Sequence, residues 1–272
     1  EKRIDIKNTP LKVKGYNIED INQVGKEGVF KLKVARTNLS EPFATLDECI
    51  MKINKEEVLR YLGYKGQYLD EKTDKLIDQA IIEINSKIKV RSAYRFFQLE
   101  EKGEKLLIKG TNVELLGKDI RRHLKNTKDC IIMAATLGHE VDRLIRYYEK
   151  VSMTRALILD ATASVAIEEA INKLNGDLEK EVFMDNKIFT SRYSPGYGDL
   201  PLSIQGGLLD ILGAKKSIGL TANAHNILIP RKSITAILGI VAGSVVNNET
   251  SCEHCNMRNN CDFSKGGKGC GN

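Results

Sequence analysis

Four cysteines near the C-terminus, Cys252, Cys255, Cys261 and Cys270, are separated by two, five and eight residues. Four thiolates in a short, glycine-containing tail suit a metal-stapled loop, holding either tetrahedral zinc or an iron–sulfur cluster. The uneven spacing departs from the paired Cys-x2-Cys knuckles of common zinc ribbons and favours a [4Fe–4S] centre, with His254 as a possible replacement for Cys270. Disulfides or an unstructured tail are the remaining readings. A second chemical stretch is Arg192-Tyr193-Ser194-Pro195-Gly196-Tyr197-Gly198-Asp199-Leu200-Pro201. Pro195 fixes its own φ and pushes Ser194 toward an extended conformation, while Gly196 and Gly198 permit angles and approaches that a Cβ forbids. Arg192 offers a planar fork of donors for a carboxylate, and Tyr197 a ring face with a hydroxyl. The bland alternative is an ordinary Pro-Gly turn between a strand and a helix. A third candidate is Asp160, Ser164 and Glu168, four residues apart and therefore on one helix face. That face either sets two carboxylates among apolar neighbours or is the solvent stripe of the helix.

These residues need elements to position them. A helix capped by Asn54 is expected over Lys55 to Leu62, with Glu57 at its third position and Gly63 as its stop. A second runs from about Glu71 to Lys89 on the spacing of Leu76, Ile77, Ala80, Ile81, Ile84 and Ile88. The longest, Thr154 to about Leu174, ends near Gly176 and is apolar on several sides, so it is central. Strands are expected at Tyr94–Leu99, Lys105–Ile108, Cys130–Ala135, Lys187–Ser191, Ser217–Thr221 and Ile234–Ile240. The class is mixed α+β. Residues 1–50 read as a small β-containing segment, 51–247 as the main domain and 248–272 as the cysteine-rich tail. Cys49 and Cys130, in apolar settings, read as small core residues.

The histidines at 123, 139, 225 and 254 have no zinc-protease spacing, and Gly-x-Ser-x-Gly and phosphate-loop signatures are absent. Hydrolase and kinase readings lose ground accordingly. The chain has 272 residues, 42% of them hydrophobic, enough for a substantial core. Its apolar runs, Ile131–Leu137 and Ile234–Val246, fall short of the roughly 20 residues of a membrane helix. The opening Glu1-Lys2-Arg3-Ile4-Asp5 lacks a signal-peptide core, so a cytoplasmic setting with reduced thiols is the expectation. A net charge of +6 without a long basic block gives little support to nucleic-acid binding.

Ala135-Thr136-Leu137-Gly138, the Asp160–Glu168 helix, Arg192-Tyr193-Ser194-Pro195-Gly196-Tyr197 and Ile218-Gly219 with Pro230-x-x-Ser233 together resemble, in order and spacing, the reactivation domain of cobalamin-dependent methionine synthase. The match covers roughly residues 55–245, and its most specific part is Arg-x-x-Pro-Gly-Tyr. The resemblance implies a twisted antiparallel sheet flanked by helices in a curved, open domain. It also implies S-adenosylmethionine in a shallow groove: Arg192 on the methionine carboxylate, Ser194, Pro195, Gly196, Tyr197 and Gly198 lining the ligand, and Glu168 orienting it. Glu168 and the Tyr197 face also suit a sulfonium cation.

The family repairs a methyltransferase whose cobalamin has been oxidised, using one electron from a reductant and a methyl group from S-adenosylmethionine. Reduced cobalt attacks the sulfonium methyl directly, so no catalytic acid or base is expected, and the protein contributes positioning. The fused enzyme's other modules are not in this sequence, so by resemblance the expectation is a stand-alone reactivator of a cobalamin-binding methionine synthase or corrinoid protein, served by an electron donor such as flavodoxin or ferredoxin. The family's Asp-Trp-Thr-Pro-type opening segment is absent, Asn223-Ala224-His225-Asn226 replaces a Thr-Glu-Ser run, and the cysteine tail is additional. An iron–sulfur centre in that tail would deliver the electron, whereas zinc would make it a staple. The competing readings are a docking module with a vestigial pocket, and a methyltransferase on another substrate, which the lack of Gly-x-Gly-x-x-Gly disfavours.

Overall fold

A computed structural model describes residues 43–47, 51–103, 105–183 and 187–242. The cysteine tail, Cys49, His254 and all of the 1–50 segment except 43–47 lie outside the described residues. Strand β1 (Phe43–Asp47) is followed by helices α1 (Lys55–Tyr61) and α2 (Glu71–Lys87), then by strands β2 (Val90–Lys102) and β3 (Lys105–Ile108). Next come α3 (Lys118–His123), β4 (Asp129–Thr136), α4 (His139–Val151), α5 (Met153–Phe183) and β5 (Lys187–Phe189). A 3-10 turn at Leu202–Ile204 leads into α6 (Gln205–Ile211), α7 (Ala214–Ser217), the short hairpin β6 (Thr221–Ala222) and β7 (Leu228–Ile229), and β8 (Ser233–Ala242).

The main sheet is antiparallel in the order β1-β2-β4-β8-β5, with β3 folded back on the far end of β2. It is open, and both of its faces are covered. Along β4, Ile131, Met133 and Ala135 pack with α1, α2, α4 and α5, while Cys130, Ile132 and Ala134 pack with α3, α6 and α7 on the other side. Burial on both faces is why β4 reads as an unbroken apolar run instead of alternating. Cys130 is fully buried there, and desolvation pushes its thiol up to about 12, which fits the core role expected of it.

Local signals account for most of the boundaries. Asn54 Oδ1 accepts the amides of Glu56 and Glu57 at 2.9 and 3.4 Å, capping α1. Asp70 does the same for α2 through the Thr73 amide at 3.0 Å. Among the described residues no helix is long and apolar enough to cross a membrane.

Two expectations are corrected. The long helix does not stop near Gly176 but continues to Phe183. A glycine inside a helix costs about 1 kcal/mol, and burial of Leu178 beyond it, at 2% exposure, offsets that cost. The segment Ser217–Thr221 is not a strand: Ser217 ends α7, Gly219 turns the chain at φ +71°, and pairing begins only at Thr221. Ile218 and Leu220 are both buried, and that alternation mimics a strand.

Leu178→Ala tests the extended helix. Truncating this buried leucine is expected to cost about 2–5 kcal/mol, read from the urea midpoint, and to speed amide exchange beyond Gly176. A helix ending near Gly176 would leave both unchanged.

Candidate functional site

Helix α5 packs against α1, α2 and α4 and against strands of the sheet, so its orientation is fixed from several sides. One row of it, Asp160, Ser164, Glu168 and Asn172, faces the segments flanking β8 and following β5. Lys232, just before β8, sets its Nζ 2.9 Å from Asp160 Oδ1 and donates to Ser164 Oγ at 2.8 Å. Arg192, after β5, donates through Nη2 to Glu168 Oε2 at 3.0 Å and through Nη1 to Asn172 Oδ1 at 2.6 Å. The face is therefore neither an apolar burial site nor a bare solvent stripe. Each carboxylate keeps about two-fifths of its surface in water while a nearly buried cation stands behind it: Arg192 is 10% exposed against 38% for Glu168.

The Lys232 end has its own support. Asp142 is buried, and its carboxylate accepts the backbone amides of Arg231 and Lys232 at 2.6 and 3.3 Å, fixing the approach to β8. Backbone donors thereby meet the buried charge.

The Pro-Gly-Tyr loop is a built structure and more than a turn. Tyr193 exchanges both backbone hydrogen bonds with Ile237 of β8, at 2.9 and 2.8 Å. Past the buried Pro195, the Tyr197 amide donates to Ser194 O at 3.0 Å, Gly196 N to Leu200 O at 2.8 Å and Leu200 N to Tyr197 O at 3.0 Å. Tyr193 Oη donates to Tyr197 O at 3.2 Å. Gly198, at φ +50°, sits where a Cβ would strike Tyr193 Oη and Asp119 Oδ2, so the glycine is required by space as well as by angle. Asp199 then caps α3 by accepting the amides of Lys118 at 2.6 Å and Asp119 at 3.0 Å. At the other end of α3, His123 Nε2 donates to Ser191 O at 2.8 Å, with its ring 5.0 Å from that of Tyr193. Burial holds the His123 pKa below its ordinary value despite that carbonyl, so the neutral imidazole acts as a strut.

Of the residues singled out by sequence, Arg192 and Glu168 meet, while the loop Ser194–Gly198 that follows Arg192 makes its contacts with Tyr193, Leu200 and the start of α3. Tyr197 there is 38% exposed. His225 is not part of it: it sits exposed in the β6–β7 turn, its amide donating to Asn223 Oδ1 at 2.9 Å. Among the described residues no group of three or more histidine, cysteine, aspartate or glutamate side chains could hold a metal. Sequence reasoning missed Asn172, Lys232, Asp142 and His123. The i+4 extension from Glu168 to Asn172 was visible; the others come from distant segments.

No protein-family model matches the chain, and no curated protein does. Among solved structures the chain is similar to one described as "Crystal Structure of the MetH Reactivation Domain bound to AdoHcy", at a TM-score of 0.52 and 14% identity, over 73% of this chain and 78% of that one. The likeness lies in the fold: mixed α+β, with an open antiparallel sheet flanked by helices.

The electrostatics of Glu168 yield a testable sign. Desolvation raises its carboxyl above the ordinary carboxylate range, while Arg192 and Arg60 pull it back without cancelling the rise. The folded state then holds this proton more tightly than the unfolded chain does. Its contribution to stability is largest at low pH and falls as pH rises from the ordinary range through the raised folded value. Urea midpoints followed across that window are expected to fall less steeply for Glu168→Gln than for the parent; parallel curves would assign Glu168 an ordinary titration.

Proposed function

We propose that this chain binds S-adenosylmethionine beside the Arg192–Glu168 pair and supports reductive methylation of an oxidised cobalamin on a separate methionine synthase or corrinoid methyltransferase. The observation that carries the reading is the meeting of Arg192 and Glu168, 24 residues apart in sequence, at 3.0 Å next to the pinned Pro-Gly-Tyr loop. A fold like that of a reactivation domain solved with AdoHcy supports it.

The residues present fit such a ligand. The guanidinium is oriented but not saturated by charge: one edge is on a carboxylate and the other on a neutral amide oxygen. An amino-acid carboxylate can replace Asn172 on that fork, forming a charge-assisted bond in place of a neutral one. Glu168, more exposed than its partner, offers its carboxylate to the ligand's ammonium or sulfonium. Tyr197 presents a ring face to the same cation. The ligand supplies an electrophilic methyl group, and the chain's part is to hold it in place for the partner's cobalt. No side chain here needs to act as acid or base.

Cys252, Cys255, Cys261 and Cys270 are proposed to hold a metal centre, with an iron–sulfur cluster preferred to zinc as a carrier of the electron. Anaerobically purified protein is expected to contain iron and to absorb near about 400 nm, with the band lost when these cysteines are replaced by serine. Stoichiometric zinc without a visible band would reduce the tail to a staple.

Calorimetric titration of S-adenosylhomocysteine and S-adenosylmethionine should give saturable binding, weakened roughly 10- to 100-fold in Arg192→Ala, as expected for loss of a hydrogen-bonded charge. Circular dichroism of the variant checks its fold. Absence of binding to the parent protein would overturn the reading and leave a docking module.

A further inference from the structure

The proposed function uses one end of the α5 row and leaves the other end, Asp160 and Ser164, without a part. The two ends are built alike. At each, a nearly buried cation is shared between a partly exposed carboxylate and a neutral oxygen four residues further along the helix: Arg192 between Glu168 and Asn172, Lys232 between Asp160 and Ser164. The exposures match as well, 14% for Lys232 against 43% for Asp160, beside 10% and 38% at the other end. Lys232 is also fixed through its backbone, whose amide donates to the Asp142 carboxylate. Asp160 Oδ1 faces Lys232, and among the described residues no hydrogen bond reaches its Oδ2. A carboxylate accepts up to about four hydrogen bonds, so Asp160 has room for donors from outside without giving up the lysine.

We infer that the Asp160–Lys232 clamp is a second subsite on the same helix row, where Asp160 accepts the vicinal hydroxyls of a ribose. This rests on the proposed function, in which an amino-acid head is held at Arg192 and Glu168. Asp160 and Glu168 are eight residues apart on one helix, about 12 Å along its axis. In S-adenosylhomocysteine the extended chain from the carboxyl carbon to the ribose spans roughly 9 Å, and a hydrogen bond at each end brings the sugar within reach of Asp160. The chemistry of the clamp selects hydroxyls. Aspartate and lysine together are neutral, so the clamp does not draw an ion of either sign, and among the described residues no three histidine, cysteine, aspartate or glutamate side chains gather to hold a metal. A neutral group with two adjacent O–H donors gains charge-assisted bonds to the exposed edge of the carboxylate. Lys232 behind it keeps that edge in position, as a supporting contact does for any preorganised site.

The test is calorimetric titration of S-adenosylhomocysteine and of its 2′,3′-dideoxy analogue into the full chain and into Asp160→Ala, Asp160→Asn and Arg192→Ala. The parent protein should bind the dideoxy analogue roughly 10- to 100-fold more weakly than S-adenosylhomocysteine, as expected for lost hydrogen bonds to a charge. Asp160→Ala should lose about the same factor for S-adenosylhomocysteine and change little for the analogue, because the hydroxyls and the carboxylate report one contact. Asp160→Asn, which keeps the shape of the side chain, should also weaken S-adenosylhomocysteine alone, and it supplies the comparison if the alanine variant does not fold. Arg192→Ala should weaken both ligands alike. If the Asp160 variants weaken both ligands equally, the clamp is a structural brace; if they weaken neither, Asp160 touches no ligand. Either result overturns the subsite, while saturable binding that still depends on Arg192 leaves the proposed function standing. No binding to the parent protein removes both.

Discussion

The site depends on a side chain that is missing. Gly239 of β8 sits where a Cβ would come within 2.6 Å of Thr127, 3.0 Å of Leu124 and 3.1 Å of Thr190. Its absence lets the end of α3, the turn after it and the strand-end at Thr190 close on one point of the sheet. Thr190 uses that approach fully: its amide donates to Gly239 O at 2.9 Å, and its Oγ1 accepts the Gly239 amide at 2.9 Å. Two residues back along β8, Ile237 holds Tyr193, and just before the strand begins stands Lys232. One strand thus fixes the loop carrying Arg192 and the cation at the other end of the α5 row. Positions set by strand pairing hold a site more tightly than positions on a free loop.

The electrostatic arrangement follows from that rigidity. Burying a cation is costly unless a carboxylate and further acceptors meet it. Arg192 and Lys232 each find one carboxylate and one neutral oxygen on the same helix row, at spacings that only a helix presents. The cost falls unevenly on the partners. Desolvation still dominates at Glu168 and holds its carboxyl above the ordinary carboxylate range. A row built in this way presents negative edges to solvent with positive charge fixed behind them. Such a surface favours a ligand carrying both signs over one carrying either alone.

Local chemistry was readable from sequence wherever it was local in cause. Asn54 and its following glutamates announced α1, the Lys105–Ile108 strand was recovered with its bounds, and the apolar run at Cys130–Ala135 marked the central strand. The Pro-Gly-Tyr loop and the shared face of Asp160 and Glu168 were also legible, because both depend on short spacings. What sequence could not show was set by distant contacts. Gly176 reads as a helix stop until Leu178 is seen in the core, and Ser217–Thr221 reads as a strand until Gly219 is seen to turn it. Asp142 carries no local signal in the sequence; only the fold brings the Arg231 and Lys232 amides, some 90 positions away, onto its carboxylate.

The pairing of Arg192 with Glu168 bears on how a ligand is admitted. An arginine awaiting a carboxylate in an otherwise apolar groove would be an uncompensated charge, and the fold would lose stability to keep it. Here the charge is compensated from within, so a ligand bound as proposed would exchange partners with the pair and would not meet a bare charge. The affinity then reflects a difference between two sets of bonds, which is smaller than either set. A ligand bringing only a carboxylate would leave Glu168 short of its cation, and one bringing only a cation would draw Glu168 from Arg192 without replacing it. A zwitterion restores both. Under the proposed function the internal ion pair would therefore select on charge type, favouring a ligand that carries both signs.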